Sequence, residues 1–131
     1  MSKFLVKVQE ISGDESLHIV TFKSKHHTLK MMSLDLTENI KEGVELYLET
    51  KATSIAIAKE FQGELSYSNQ LNGRIVTIEM GKVLTHLYID IKESIIESII
   101  TTDSAKRMEL TINDKVTALI KSSDLSIAEL A

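Results

Sequence analysis

The feature that most constrains this chain is an internal repeat: its two halves carry the same strand and turn signals in the same order. The first half opens on an apolar strand, Phe4-Leu5-Val6-Lys7-Val8-Gln9-Glu10-Ile11. It passes Met32-Ser33-Leu34-Asp35-Leu36 and Ile40-Lys41-Glu42-Gly43-Val44, and closes on Thr50-Lys51-Ala52-Thr53-Ser54-Ile55. The second half opens on Leu71-Asn72-Gly73-Arg74-Ile75-Val76-Thr77-Ile78. It passes Ile100-Thr101-Thr102-Asp103-Ser104 and Leu110-Thr111-Ile112-Asn113-Asp114, and closes on Ile120-Lys121-Ser122-Ser123-Asp124-Leu125. Gly43 and Asn113 stand where a tight turn asks for a residue tolerant of positive φ. Lys51 and Lys121 each follow that turn by 8 positions.

Within each half the apolar pattern has period two, the mark of half-buried strands. From Val83 to Ile91 one face carries Val83, Thr85, Leu87, Ile89 and Ile91, and the other Leu84, His86, Tyr88 and Asp90. Val116, Ala118 and Ile120 repeat the pattern. Helical signals are brief, and the best candidates follow Ser33 and Asp103, where small polar residues can cap a turn or two. The chain therefore reads as all-β: two tandem units of about five strands, each with one short helix. The units span residues 1–61 and 66–131, with the seam at Gln62-Gly63-Glu64. Units this small bury little surface alone, so the halves are expected to pack together and to oligomerise.

Composition narrows the function. At 131 residues and a net charge of −4, the chain lacks the basic balance that nucleic acid asks for, and only 5% of it is aromatic. It has no cysteine, which excludes disulfides and thiolate metal sites. No apolar run approaches the ~20 residues that cross a bilayer, and Met1-Ser2-Lys3-Phe4-Leu5 does not read as a signal peptide. A cytoplasmic protein without membrane insertion is the expectation. The histidines lack metalloprotease spacing: His26 and His27 read as a solvated hairpin, and His86 as a surface or interface strand residue. No phosphate loop and no nucleophile–base pair stand out, so no enzyme is expected.

Three polar groups in the second half could hold a small anion. They are Ser66-Tyr67-Ser68-Asn69, Thr101-Thr102-Asp103-Ser104 and Lys121-Ser122-Ser123. Hydroxyls, a lysine and free backbone N–H groups donate hydrogen bonds to an oxyanion without taking protons from it. Each group also has an ordinary reading: a linker, a helix cap and a solvated strand-end lysine.

In their order and spacing these segments resemble the molbindins, the molybdenum-pterin-binding (Mop) family, and the related TOBE domains of transport ATPases. The resemblance rests on Asn69-Gln70-Leu71-Asn72-Gly73-Arg74-Ile75-Val76, on Ser98 to Ser104 and on Val116 to Asp124. It implies oligonucleotide-binding-like (OB) barrels of five strands, with molybdate or tungstate held between barrels. Carried over, the ligands are Ser66 and Asn69, Thr101 and Ser104, and Lys121 and Ser122. Ser68 stands where the family has an arginine, which removes a forked donor. In the first half Ser33 falls on the Thr101 position, and Lys51 and Ala52 on the lysine–serine segment, while Leu36 replaces Ser104 and Val6 the strand glycine.

The resemblance implies a protein that stores, buffers or delivers molybdate or tungstate as the intact oxyanion, assembled as a homo-oligomer with a trimer the first expectation. The alternative is a ligand-sensing module associated with a molybdate or tungstate transporter.

Overall fold

The computed structural model describes all 131 residues, Met1–Ala131. Alternating apolar residues fold the first half into β1 (Ser2–Gly13), β2 (His18–Lys23), β3 (Thr28–Ser33), β4 (Glu45–Thr50) and β5 (Ala56–Ala58). The second half supplies β6 (Asn69–Met80), β7 (Leu84–Asp90), β8 (Ile95–Thr101), β9 (Lys115–Ile120) and β10 (Ser126–Leu130). One α-helix, α1 (Thr102–Arg107), follows β8, and a single 3-10 turn follows β4 (Ala52–Ser54) and β9 (Ser122–Asp124).

The strands form two five-stranded antiparallel sheets, ordered β10-β4-β1-β2-β3 and β5-β9-β6-β7-β8. The halves exchange their closing strands. β5, from the first half, pairs with β9 of the second, Ala56 opposite Leu119. β10, from the second half, pairs with β4 of the first, Ser126 opposite Glu49. Sheet membership and chain order thus part company at both ends, and neither sheet is complete without a strand from the other half.

The repeat extends to single hydrogen bonds. β1 and β6 each carry a β-bulge, between Val8 and Glu10 and between Ile75 and Thr77. Each long strand can thus pair with one neighbour along its first half and another along its second. The Gly43 and Asn113 N–H groups donate to the Val8 and Ile75 carbonyls at 2.8 and 2.7 Å. The Val8 and Ile75 N–H groups return bonds to Val44 and Asp114. Gly43 and Asn113 have φ of 89° and 76°, the conformation the turn signal asked for.

Inward-facing positions from both sheets merge into one core. Phe4, Phe22, Leu46 and Leu48 of the first half join Leu71, Ile75, Leu87, Ile89 and Ile120 of the second without a break. The Val83–Ile91 alternation is realised, with Thr85, Leu87, Ile89 and Ile91 buried. Val83 lies outside the strand and is 70% exposed. Gly73 sits where β6 and β7 cross closely: a Cβ there would meet the Asp90 carbonyl at 2.6 Å.

One expected element does not form. α1 follows Thr101, but the counterpart expected after Ser33 is a run of turns. Leu34, at the ladder position of Thr101, precedes Gly43 by three positions fewer than Thr101 precedes Asn113, so a helical turn lacks chain. Ser33 Oγ also donates forward to the Asp35 carbonyl, and Thr37 pairs with Asn39, instead of capping. Ladder register further places Ser33 at the Ile100 position and Leu34 at that of Thr101.

The residues leading into the exchanged strands, Ile55 and Leu125, are 1% and 4% exposed. Truncating either to alanine should cost about 2–4 kcal/mol. Urea denaturation followed by fluorescence and circular dichroism should show one shared transition, since each half completes the other. Two resolved transitions would contradict a common core.

Candidate functional site

β8, which ends at Thr101, packs against the first 3-10 turn, and β3, which ends at Ser33, packs against the second. The Ser98 hydroxyl donates to the Ile55 carbonyl at 2.5 Å, fixing the first junction. At the second, Ser33, Leu34 and Asp35 face Ser123 and Ser126 across an open groove of about 490 Å³. Each junction therefore joins a strand end of one half to the lysine-led turn of the other. Thr101 thus ends the strand that packs on the turn led by Lys51, and Ser33 ends the strand that packs on the turn led by Lys121.

The two turns are near copies. Lys51 and Lys121 have φ, ψ of −75°, 144° and −67°, 144°. Each carbonyl accepts from the N–H three residues on, Ser54 and Asp124, both at 2.9 Å. Both lysines are exposed and neither forms an ion pair. Ser66 is exposed, Ser122 half-buried and Ala52 buried, so Ala52 can offer only its backbone N–H.

At the end of β8 the hydroxyls are already organised. Thr101 Oγ accepts from the Ser104 N–H at 3.1 Å, a capping bond, and donates to Ser104 Oγ at 3.0 Å. Arg107 Nη2 also donates to Ser104 Oγ, at 3.2 Å. Ser104 Oγ thus accepts twice, and its own proton remains free to donate outward. Arg107 was absent from the sequence-based ligand set. Its signal was the i, i+3 spacing from Ser104 on a short helix, which brings the side chains onto one face. It places a guanidinium at this junction, while Ser68 occupies the family arginine position elsewhere in the chain.

Backbone groups at the start of α1 contribute less than the sequence suggested. The Thr102 N–H is spent on the Val83 carbonyl, and the Ser104 N–H on Thr101. Thr102 Oγ is buried, bonded to Thr85 and to the Gly81 carbonyl, so it anchors the helix. Lys59, from the segment joining the halves, clamps the other end. Its ammonium donates to the Met108 and Glu109 carbonyls and pairs with Asp114 at 3.1 Å. The Thr111 N–H and Lys59 together hold the Asp114 carboxyl below the usual carboxylate range.

Asn69 has a different place from the other expected ligands. It is fully buried, and its amide is committed to backbone. Oδ1 accepts from the Lys30 N–H at 2.7 Å, while Nδ2 donates to the Lys30 and Ile120 carbonyls at 3.0 and 3.1 Å. It satisfies the open edge of β3 as a neighbouring strand would. Ser2, at the same ladder position in β1, does the same for β8 by accepting from the Glu97 N–H at 3.1 Å. Both side chains are therefore staples between halves.

The histidines also depart from expectation in one case. His27 is not solvated: its ring lies 2.8 Å from the Ile91 carbonyl, beside Glu93, and ties the β2–β3 hairpin to the β7–β8 turn. His86 is a surface strand residue, paired with Glu97 at 2.6 Å. Tyr88 nearby is pushed up to about 12 by its hydrogen bond to Glu79 and by burial.

Residues 65–127 match the sequence model of the family described as the TOBE domain. A comparison with curated protein sequences gives no match. Among solved structures, the chain is similar to the cytoplasmic molybdate-binding protein ModG, crystallised with molybdate bound. The TM-score is 0.87 and the identity 20%, over 97% of this chain and 94% of that one. The likeness covers both halves, so the two-barrel fold is common to the two proteins.

Asn69→Ala should leave the Lys30 peptide group and the Ile120 carbonyl unsatisfied in a buried setting. Thermal or urea unfolding should report a loss of about 2–3 kcal/mol. A loss under about 0.5 kcal/mol would mean water replaces the amide and the staple carries little weight.

Proposed function

We propose that this chain, whose second half is a TOBE domain, is a non-catalytic cytoplasmic protein that binds molybdate or tungstate reversibly. It would store, buffer or deliver the anion. The observation that carries this reading is the pairing, at both junctions, of a strand end from one half with a lysine–small-residue turn from the other. The same two-barrel fold in a protein crystallised with molybdate supports it.

The chemistry follows from the donor set. A tetrahedral dianion leaves water only if several donors and one or two positive charges replace its hydration. At the β8 junction the Ser104 hydroxyl would donate with Arg107 behind it, and Lys51, which leads the turn packed on β8, would add a second charge. At the β3 junction Lys121 and Ser122 offer a smaller set, beside Ser33, whose hydroxyl must leave the Asp35 carbonyl to donate, and Ser66 precedes β6 on the side of Lys121. Asp35 lines that groove and opposes an anion. The β8 junction is therefore the tighter of the two. No carboxylate, histidine or thiolate is needed, so the metal keeps its four oxygens and makes no bond to protein.

Exposed lysines hold an anion firmly only when something else closes the site. A second copy of the chain is the natural cover, and a homotrimer is the assembly we propose. Binding between copies would then tie assembly to ligand by mass action. Molybdate and tungstate are alike in size and charge, so hydrogen-bond donors accept either.

Titration calorimetry with molybdate and with tungstate tests the reading. Heat of binding is expected for both, and Lys51→Ala should weaken the tighter phase at least tenfold, about 1.5–3 kcal/mol. Lys121→Ala should weaken the looser phase. No heat with either anion, at protein concentrations of tens of micromolar, would refute the binding claim.

A further inference from the structure

A concavity of about 680 Å³ belongs to neither junction. It lies on the outer face of the second sheet, over the crossing of β6 and β7 at Gly73, where the missing Cβ lets the strands close into a floor. Three cations line it: Arg74, Lys92 and Lys115. Lys115, Arg74 and Asp90 are neighbours across three strands, so their side chains share one face. Glu60 and Asp90 also line the cavity, yet none of the three cations forms an ion pair with either. Asp90 instead accepts from the Lys92 backbone N–H at 2.8 Å, and Arg74 donates to the Asn113 carbonyl. Phe61, 45% exposed, forms an apolar wall.

Backbone strain points to the same place. Four non-glycine residues have positive φ. Asn113 sits in the tight turn that Gly43 forms in the other half, and Glu109 ends α1, where a left-handed residue is the common stop. Lys92 at 82° is a central residue of the β7–β8 hairpin turn, closed by the Ile91 N–H on the Ser94 carbonyl, whereas Glu60 at 54° has no such account, and it lines this cavity. Left-handed backbone in bulky residues costs energy and concentrates at ligand clamps. The first half does not repeat the arrangement, since Glu45 stands at the Lys115 position, Lys23 at Asp90 and Val6 at Gly73. The cavity is therefore not a by-product of the repeated fold.

We propose that this cavity is a second ligand site, distinct from the oxyanion junctions, for a phosphorylated ring compound the size of a mononucleotide. The volume fits such a ligand. The guanidinium and two ammonium groups suit a phosphate. Phe61 gives the ring a stacking surface. Proposed binding here owes nothing to the junction residues, so the two readings can fail separately.

Adenosine monophosphate (AMP) is the probe, with adenosine and inorganic phosphate as controls, titrated into the full chain and followed by amide NMR and calorimetry. AMP should bind with a dissociation constant below about 1 mM, equivalent to roughly 4 kcal/mol. Adenosine and phosphate should each bind at least about tenfold more weakly, because each keeps only one kind of contact. Amide signals of Gly73, Lys92 and Thr117 should move, and those of Thr101 and Ser122 should stay. Lys92→Gln, Lys115→Gln and Phe61→Ala should each weaken AMP at least about threefold, with the molybdate titration unchanged. The proposal is overturned if AMP does not bind by 10 mM, well above the range of specific sites. It also falls if adenosine or phosphate binds as tightly as AMP, if the variants leave AMP binding unchanged, or if the shifts map to the junctions.

Discussion

The reciprocal exchange of β5 and β10 is the constraint on which the rest of this molecule depends. Each half builds four strands of its own sheet and lends the fifth to its partner. A four-stranded remnant would leave an open edge and an unfilled core, which units of this size tolerate poorly. The exchange removes that problem by making one core from two repeats. It also fixes where the 3-10 turns lie, because each turn immediately precedes a lent strand. The lysine-led turn of one half is thereby carried to the strand end of the other. The anion binding that we propose is placed at the junctions for the same reason that the core is continuous.

The staples show how finely the junctions are set. An edge strand buried against another unit must satisfy its peptide groups without a neighbouring strand. Asn69 meets three such groups at β3 and β9, and Ser2 meets one at β8. The smaller side chain does less, so the pseudo-symmetry is broken at these positions. It is broken again at the β8 junction, where α1 brings Arg107 against Ser104, while the β3 junction has turns and Asp35. The copies share a frame and differ in charge.

Much of the frame was legible in the sequence. Period-two alternation gave the strands, and Gly43 and Asn113 marked turns whose φ values the structure realises. Strand exchange was not legible, because β5 has three residues and β10 five, and so short a segment carries no sign of its partner. The missing helix after Ser33 turns on three residues of chain length, which a pattern comparison passes over. For the site, Lys51 and Lys121 stand at matching turns, as their spacing implied. The role of Asn69 was hidden because a donor for an anion and a donor for a buried carbonyl are the same group. Arg107 was hidden because its neighbour Ser104 lies on a helix of only six residues. Polar residue types were therefore readable, but which of them face backbone depends on contacts between halves.

The central claim is that oxyanions bind where one half's strand end meets the other half's lysine-led turn. Crystals grown with tungstate, with anomalous differences measured at the tungsten absorption edge, test it most directly. The account predicts peaks beside Ser104 and Lys51, and weaker peaks beside Ser33 and Lys121. Tungsten found only away from these residues, or shared by Thr101 and Lys121 without any contribution from the first half, would contradict it.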